Sequence, residues 1–358
     1  MSPAKKVALS VVVSAVLMAL IVHLVGARET LQAAGQVGWG AFGALGGLLA
    51  AMLALQAGAW AMLNRTIDHH VPYRTLLAAT TVGLAGNILT PSTYLGGEPA
   101  KVLYVGHRRG LSYQQLAGTV LLAKYLEALS FLLFLAGGTA VAVVAMREVL
   151  FGGPTAVLGV TAVVVVAAAL GAFGGLWVSL ARRWTPLTHL VAGIARLGIF
   201  RRFFRGLRGK TMRMERQASR VFREEGRMVL PAFGLFVLTH VAIYVKPLLF
   251  FWLGWRVRLG PGELGLIFLT CQVLLAFQLT PSGVGTLDGG LFGMLAVTGI
   301  PIAAPQCAAF LLCLRFWDAA VVAAGAVLAA RAGADLLTGR TGMTEEAQTQ
   351  NERSDSSD

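Results

Sequence analysis

Residues 154–181, PTAVLGVTAVVVVAAALGAFGGLWVSLA, contain no charged side chain. A helix of that length is long enough to cross the roughly 30 Å hydrocarbon core of a bilayer. Comparable runs recur at about 7–26, 38–63, 115–146, 229–253 and 305–331. Only 13% of the chain is charged and 56% is hydrophobic, about half the charge of a soluble domain. Hydrocarbon admits only helices or closed barrels, and the alternating pattern of barrel strands is absent. These features predict an all-α polytopic membrane protein. The amino-terminal run is long for a signal-peptide core and reads as an uncleaved first span.

Two further apolar regions, about 75–106 and 263–299, are broken in the middle. The first carries GNILTPSTYLGGEPAK (Gly86–Lys101) and the second FQLTPSGVGTLDGG (Phe277–Gly290). Whether they cross or turn back follows from the basic residues, which favour the cytoplasmic side. If both turn back, one side receives Lys5, Lys6, Arg65, Arg74, Lys101, Arg108, Arg109, the basic segment 182–228, Arg331, Arg340 and Arg353. The other side receives Arg28, Arg147, Arg256 and Arg258, with Lys124, Lys246 and Arg315 left inside spans. The expectation is about six full transmembrane helices, two re-entrant broken-helix hairpins and cytoplasmic termini. The net charge of +13 is a topology signal, and no nucleic-acid-binding signature accompanies it.

The hairpins also match each other. LTPS occurs at 89–92 and at 279–282, and the same offset places Glu98 on Asp288. Lys124-x-x-Glu127 matches Arg315-x-x-Asp318 one residue further along. Each half contains three full crossings, an odd number, so the second half runs upside down: an inverted repeat, with broken segments meeting near the midplane. The membrane domain is read as residues 1–339, with halves at about 5–147 and 154–335, and residues 340–358 as a disordered polar tail.

Pro91 disturbs a helix, Gly96 and Gly97 permit conformations closed to other residues, and Glu98-Pro99 reads as a new helix start. In the second copy Pro281, Gly283 and Gly285 break the chain and Asp288 is placed to cap the next limb. Helix N-termini at membrane depth attract anions, and Asn87, Thr90, Ser92, Thr280 and Ser282 add polar groups beside them. Capping alone for the acids, and tight packing alone for the small residues, are equally open readings.

Lys124, Glu127, Arg315 and Asp318 lie inside long apolar spans, where each charge costs about 2.5–3.5 kcal/mol. They must pair or face water. Spacing of three puts each basic-acidic pair on one helix face. Two self-contained ion pairs would satisfy that demand. So would a polar cavity in which Lys124 and Arg315 hold phosphate. His240 and Tyr244 are weaker signals, His23 reads as a satisfied polar residue, and Lys246, before Pro247, reads as snorkelling outward. Cys271, Cys307 and Cys313 fall in apolar runs and read as inert thiols. No metal-ligand spacing, nucleophile-base pairing or cofactor motif stands out. Arg182–Arg227 is basic with interleaved Phe, Leu and Met, and reads as interfacial helices on an anionic lipid surface.

The run Asn87…Pro91…Gly96-Gly97-Glu98…Lys101, with PSGVGTLD (Pro281–Asp288) downstream, resembles the lysylphosphatidylglycerol synthase transmembrane family, the flippase-type membrane domain of MprF-like proteins. The resemblance covers roughly residues 5–335. It implies movement of phospholipids, aminoacylated phosphatidylglycerol among them, between leaflets of a bacterial inner membrane, with the motif residues toward the headgroup. Family members commonly carry Glu and Arg where this chain has Asp288 and Lys101, changes that keep the charge. The soluble aminoacyl-transfer domain of the fused members has no counterpart here, so transferase activity is not expected. Two other functions remain open: a membrane enzyme modifying a lipid headgroup or polyprenyl carrier with Glu98 or Asp288 as base, and a non-transporting subunit of an envelope-synthesis complex. The sequence leaves the lipid, its direction and any homo-oligomer open.

Overall fold

The computed structural model describes residues 26–65, 71–90, 96–152, 156–182, 201–224, 226–276 and 283–337, with positions 185, 188–189, 192–193 and 280 between them. The expected first span at 7–26, Pro91, Ser92, Pro281, Ser282 and the polar tail lie outside these residues. Twelve helices, and no strand, are found among the described residues. They are α1 (Ala27–Gln36), α2 (Gly38–Asn64), α3 (Tyr73–Leu89), α4 (Glu98–Arg109), α5 (Tyr113–Ala145), α6 (Arg147–Phe151), α7 (Ala156–Ala181), α8 (Arg201–Glu224), α9 (Gly226–Trp255), α10 (Pro261–Ala276), α11 (Thr286–Thr298) and α12 (Ala304–Leu337).

Five of these, α2, α5, α7, α9 and α12, are long and apolar enough to cross a bilayer. Their outer surfaces need a hydrocarbon solvent. Val144 on α5 is 80% exposed and Val157 on α7 is 73% exposed, and only 17% of the apolar window of α7 is buried inside the protein. The chain is an all-α, multi-pass membrane protein. The faces of these five spans are not amphipathic because lipid replaces water on the outside.

Both broken regions are pairs of short helices. At 1.5 Å per residue, α4 is about 18 Å long and α11 about 20 Å, too short to cross alone. The first pair runs back on itself. At its tip the Asn87 amide oxygen accepts a hydrogen bond from Gly97 N–H at 2.7 Å. At its base Arg109 Nη2 donates to Thr75 Oγ1 at 3.3 Å. Glycine makes this crossing possible, since a Cβ on Gly97 would collide with the backbone carbonyl of Gly83. Helix α4 begins at Glu98, which puts Pro99 at the second helical position rather than the first, and Gly110 at φ 61° ends it. In the second pair Gly283 and Gly285 take φ of 69° and 88°, and Gly290 on α11 lies directly against the Leu274 side chain of α10.

Packing between the two halves is reciprocal. Helix α2 packs along α9. Helix α5 packs on α10, and α12 packs on α3. Each helix pair therefore leans on the long span of the other half. Three apolar clusters fill the contacts. The largest joins α5, α9, α10 and the start of α12 around Phe250, Phe251 and Phe310. The second surrounds Leu122, Leu126 and Leu129 where α5 meets α2 and α9. The third gathers Leu76, Tyr104, Val105 and Leu116 beneath the first helix pair.

Candidate functional site

The helix crossings bring the intramembrane charges into two clusters. In the first, Glu98 opens α4 and Lys101 follows one turn later, while Lys124 and Glu127 lie one turn apart on α5. Lys124 Nζ lies 2.9 Å from Glu98 Oε1 and 2.7 Å from Glu127 Oε2, and Lys101 Nζ lies 3.2 Å from Glu98 Oε2. Lys124 thus ties the helix pair to α5, so the ion pairs are not self-contained within one helix. The four side chains are 12–24% exposed. They line a partly open pocket of about 290 Å³, its mouth included, with Gln56, Trp60, Thr80 and Phe236. Gln56 Nε2 donates to Glu127 Oε1 at 3.5 Å, and Trp60 is fixed by donating to Thr119 Oγ1 at 3.1 Å.

In the second cluster, the Asp288 side chain is completely buried. Its carboxylate accepts from Gly285 N–H at 2.8 Å, capping α11, and from Arg315 Nη2 at 3.0 Å. Arg315 Nη1 also reaches Asp318 Oδ2 at 3.4 Å. The matched acids therefore differ: Asp288 caps its helix and holds a cation, whereas Glu98 makes no cap and serves two lysines.

Lys124 and Arg315 are each the twelfth residue of their helices. Two helices pass both clusters. On α2, Gln56 touches Glu127, while the Trp317 indole beside Asp318 donates to Phe42 O at 3.1 Å and packs against Gly46. On α9, His240 is within electrostatic reach of Glu127 and Lys246 within reach of Asp318. At 1.5 Å per residue the clusters are stacked roughly 9–21 Å apart along these helices.

The family assignment rests on the whole membrane region. The family described as "Lysylphosphatidylglycerol synthase TM region" matches residues 7–326, which include both helix pairs and both clusters. The chain belongs to that family. It is also similar to a "UPF0104 membrane protein" of Methanothermobacter thermautotrophicus (strain ATCC 29096 / DSM 1053 / JCM 10044 / NBRC 100330 / Delta H), 26% identical over 260 residues, covering 70% of this chain and 73% of the relative. No solved structure matches the chain.

For this member of the lysylphosphatidylglycerol synthase transmembrane family, the small polar residues of the two breaks are occupied locally. Asn87 accepts from Gly97 N–H as above, Thr90 Oγ1 donates to Gly86 O at 2.8 Å, and Thr280 Oγ1 donates to Val284 O at 2.6 Å. Gly96 and Gly97 form the turn into α4, and Gly283 N–H donates to Thr280 O at 3.0 Å. These groups shape the breaks, and the charged side chains line what the breaks enclose.

Lys246 departs from the sequence-based expectation. On α9 it lies one turn from Ile243 and Phe250, both of which pack against the core, and it is itself half-buried. The lysine therefore faces the protein rather than snorkelling outward. The Glu215 contacts were not foreseen either. Buried on the basic helix α8, Glu215 accepts from Tyr125 Oη at 2.9 Å, from Thr188 N–H at 2.9 Å and from Thr188 Oγ1 at 2.6 Å. Tyr125 follows Lys124, so α8 is fastened one residue from the first cluster. The sequence signal was an acid within an otherwise basic amphipathic helix.

Proposed function

We propose that the chain moves a phospholipid between leaflets, with the headgroup passing through the protein and the acyl chains remaining in the bilayer. The observation that carries this reading is the pair of stacked, charge-rich clusters, each built where a broken helix pair meets a long span. Carboxylates and cations brought together at membrane depth fit a zwitterionic or aminoacylated phosphate headgroup. The reading includes two re-entrant pairs entering from opposite faces, and the short helices, the first pair's return and the reciprocal packing support it. It also includes cytoplasmic termini in a bacterial inner membrane, α8 lying on the anionic leaflet, and no transferase chemistry.

The test is reconstitution into liposomes carrying a fluorescent phosphatidylglycerol in both leaflets, followed by chemical quenching from outside. The protein is expected to expose the inner pool faster than empty liposomes do, and Lys124→Met to remove that gain. Folded protein that leaves the inner pool protected overturns the proposal. Lipid recovered in chemically altered form would instead assign the clusters to an enzyme.

A further inference from the structure

The first cluster is a chain of alternating charges, Lys101, Glu98, Lys124 and Glu127, that ends on the Gln56 amide. Its two acids are not served alike. Glu98 meets the ammonium groups of both lysines. Glu127 meets Lys124 through Oε2, while among the described residues its Oε1 receives only the Gln56 amide, in a long contact of 3.5 Å. Of the neutral side chains lining the same pocket, Trp60 and Thr80 have spent their single donors. Trp60 Nε1 donates to Thr119 Oγ1 at 3.1 Å, and Thr80 Oγ1 donates to Leu76 O at 2.8 Å. A carboxylate only accepts, so the nitrogen of the Gln56 amide faces Glu127 and its oxygen is left to accept. Phe236, Val120 and Ala123 add only apolar side chains. Beyond the ion pairs, the pocket therefore offers chiefly acceptor oxygens and carbon. Its enclosed part has room for about one water-sized group.

We propose that Gln56 and Glu127 form a site for a primary ammonium group. Such a group is close to water in size and carries three N–H donors. It also brings the positive charge that Glu127 Oε1 lacks at contact distance. A trimethylammonium group has no N–H donor and is too large for the enclosed space. The ammonium belongs either to a lipid headgroup or to a free amine. The inference rests on the translocation reading and deepens it by naming the pocket that selects the headgroup, and its binding test does not depend on transport. Gln56 lies on α2, outside both broken regions, so their motifs give no sign of it.

The full chain in detergent is titrated by native mass spectrometry with three probes: phosphatidylethanolamine, phosphatidylcholine, which keeps the phosphate but carries a trimethylated amine, and free ethanolamine. Phosphatidylethanolamine is expected to bind about tenfold tighter than phosphatidylcholine, the worth of a charge-assisted hydrogen bond. Gln56→Leu should narrow that ratio severalfold and Glu127→Gln should abolish it, while phosphatidylcholine binds the variants and the unaltered protein alike. Glu127→Gln leaves Lys124 its contact with Glu98, so no cation is stranded. Should it nevertheless fold poorly, Gln56→Leu, which removes no charge, decides the matter. If ethanolamine binds in a Gln56-dependent way and displaces the lipid, the site serves a free amine. If only the lipid depends on Gln56, it serves the headgroup. Equal affinity of the unaltered protein for the two lipids, or an unchanged ratio in the folded variants, overturns the site. A Gln56-dependent preference without any translocation would leave the site standing and refute the transport reading.

Discussion

Arg315 Nη2 lies 3.0 Å from Asp288 Oδ1, and the contact joins the twelfth residue of a long span to the first turn of a short helix. Lys124 and Glu98 make the corresponding contact in the other half at 2.9 Å. The same mechanical connection, from long span to broken pair, thus occurs twice. Each long span is fixed to its own half's broken pair by charge and to the other half's by apolar packing. Movement of a broken pair would therefore be felt at both clusters.

Breaking the first connection should cost stability and function separately. Removing one partner of a buried ion pair costs about 3–5 kcal/mol. The side chains here are 12–24% exposed, so about 2 kcal/mol is expected for Lys124→Met after solvent screening. Lys124→Met/Glu127→Gln should recover much of that stability, because Glu98 keeps Lys101 and no lone charge is stranded, yet remain inactive in liposomes. Thermal unfolding in detergent and the quenching assay together check both halves of the prediction.

Asp288 has two duties that substitutions can divide. Asp288→Asn keeps an acceptor for Gly285 N–H but loses the charge facing Arg315. Asp288→Ala loses both, and should be about 1 kcal/mol less stable again, the usual worth of a helix cap. Equal stability of the two variants would show that the Gly285 hydrogen bond contributes nothing measurable.

At the first helix pair, Asn87→Ala strands a buried N–H and should cost about 1–3 kcal/mol. Gly97→Ala should be at least as damaging, since its Cβ meets backbone. Gly47→Ala, where nothing lies within 4 Å of a new Cβ, is the control and should be neutral or slightly stabilising. Melting temperatures should rise from Gly97→Ala through Asn87→Ala to the control, which should be highest.

The basic helix α8 should loosen when its buried anchor is removed. Glu215→Ala deprives Tyr125 and Thr188 of their shared acceptor, and faster hydrogen exchange over residues 201–224 is expected. Arg220→Ala, whose partner Glu224 is also exposed, should leave exchange near that of the unaltered protein, as surface pairs contribute little.

The long spans were legible because hydrocarbon demands long uncharged helices, and the observed bounds of α2 and α5 fall within a few residues of the apolar runs. The breaks were legible from Gly96, Gly97, Gly283 and Gly285, whose backbone freedom has few other uses in such surroundings. The charged residues of the clusters stood out because an unpaired charge is costly in apolar sequence. What the sequence concealed was direction. Lys246 beside Pro247 looks the same whether its ammonium reaches the headgroups or the interior, and only the helix face distinguishes the two. The hydroxyls of Thr90 and Thr280 were ambiguous for a similar reason, since a backbone carbonyl one turn away satisfies them as well as a ligand does. Glu215 was hidden because its partners, Tyr125 and Thr188, are distant in sequence.

The most direct test of the account is the sidedness of the two helix pairs. In a variant with Cys271, Cys307 and Cys313 replaced by alanine, single cysteines are placed at Arg74 and Ser112, which flank the first pair, and at Arg258 and Ala303, which flank the second. They are labelled in sealed membranes with an impermeant maleimide. The account predicts that Arg74→Cys and Ser112→Cys react only from the cytoplasmic face and that Arg258→Cys and Ala303→Cys react only from the opposite face. Labelling of the two ends of either pair from different faces would show that the pair crosses the membrane and would contradict the account.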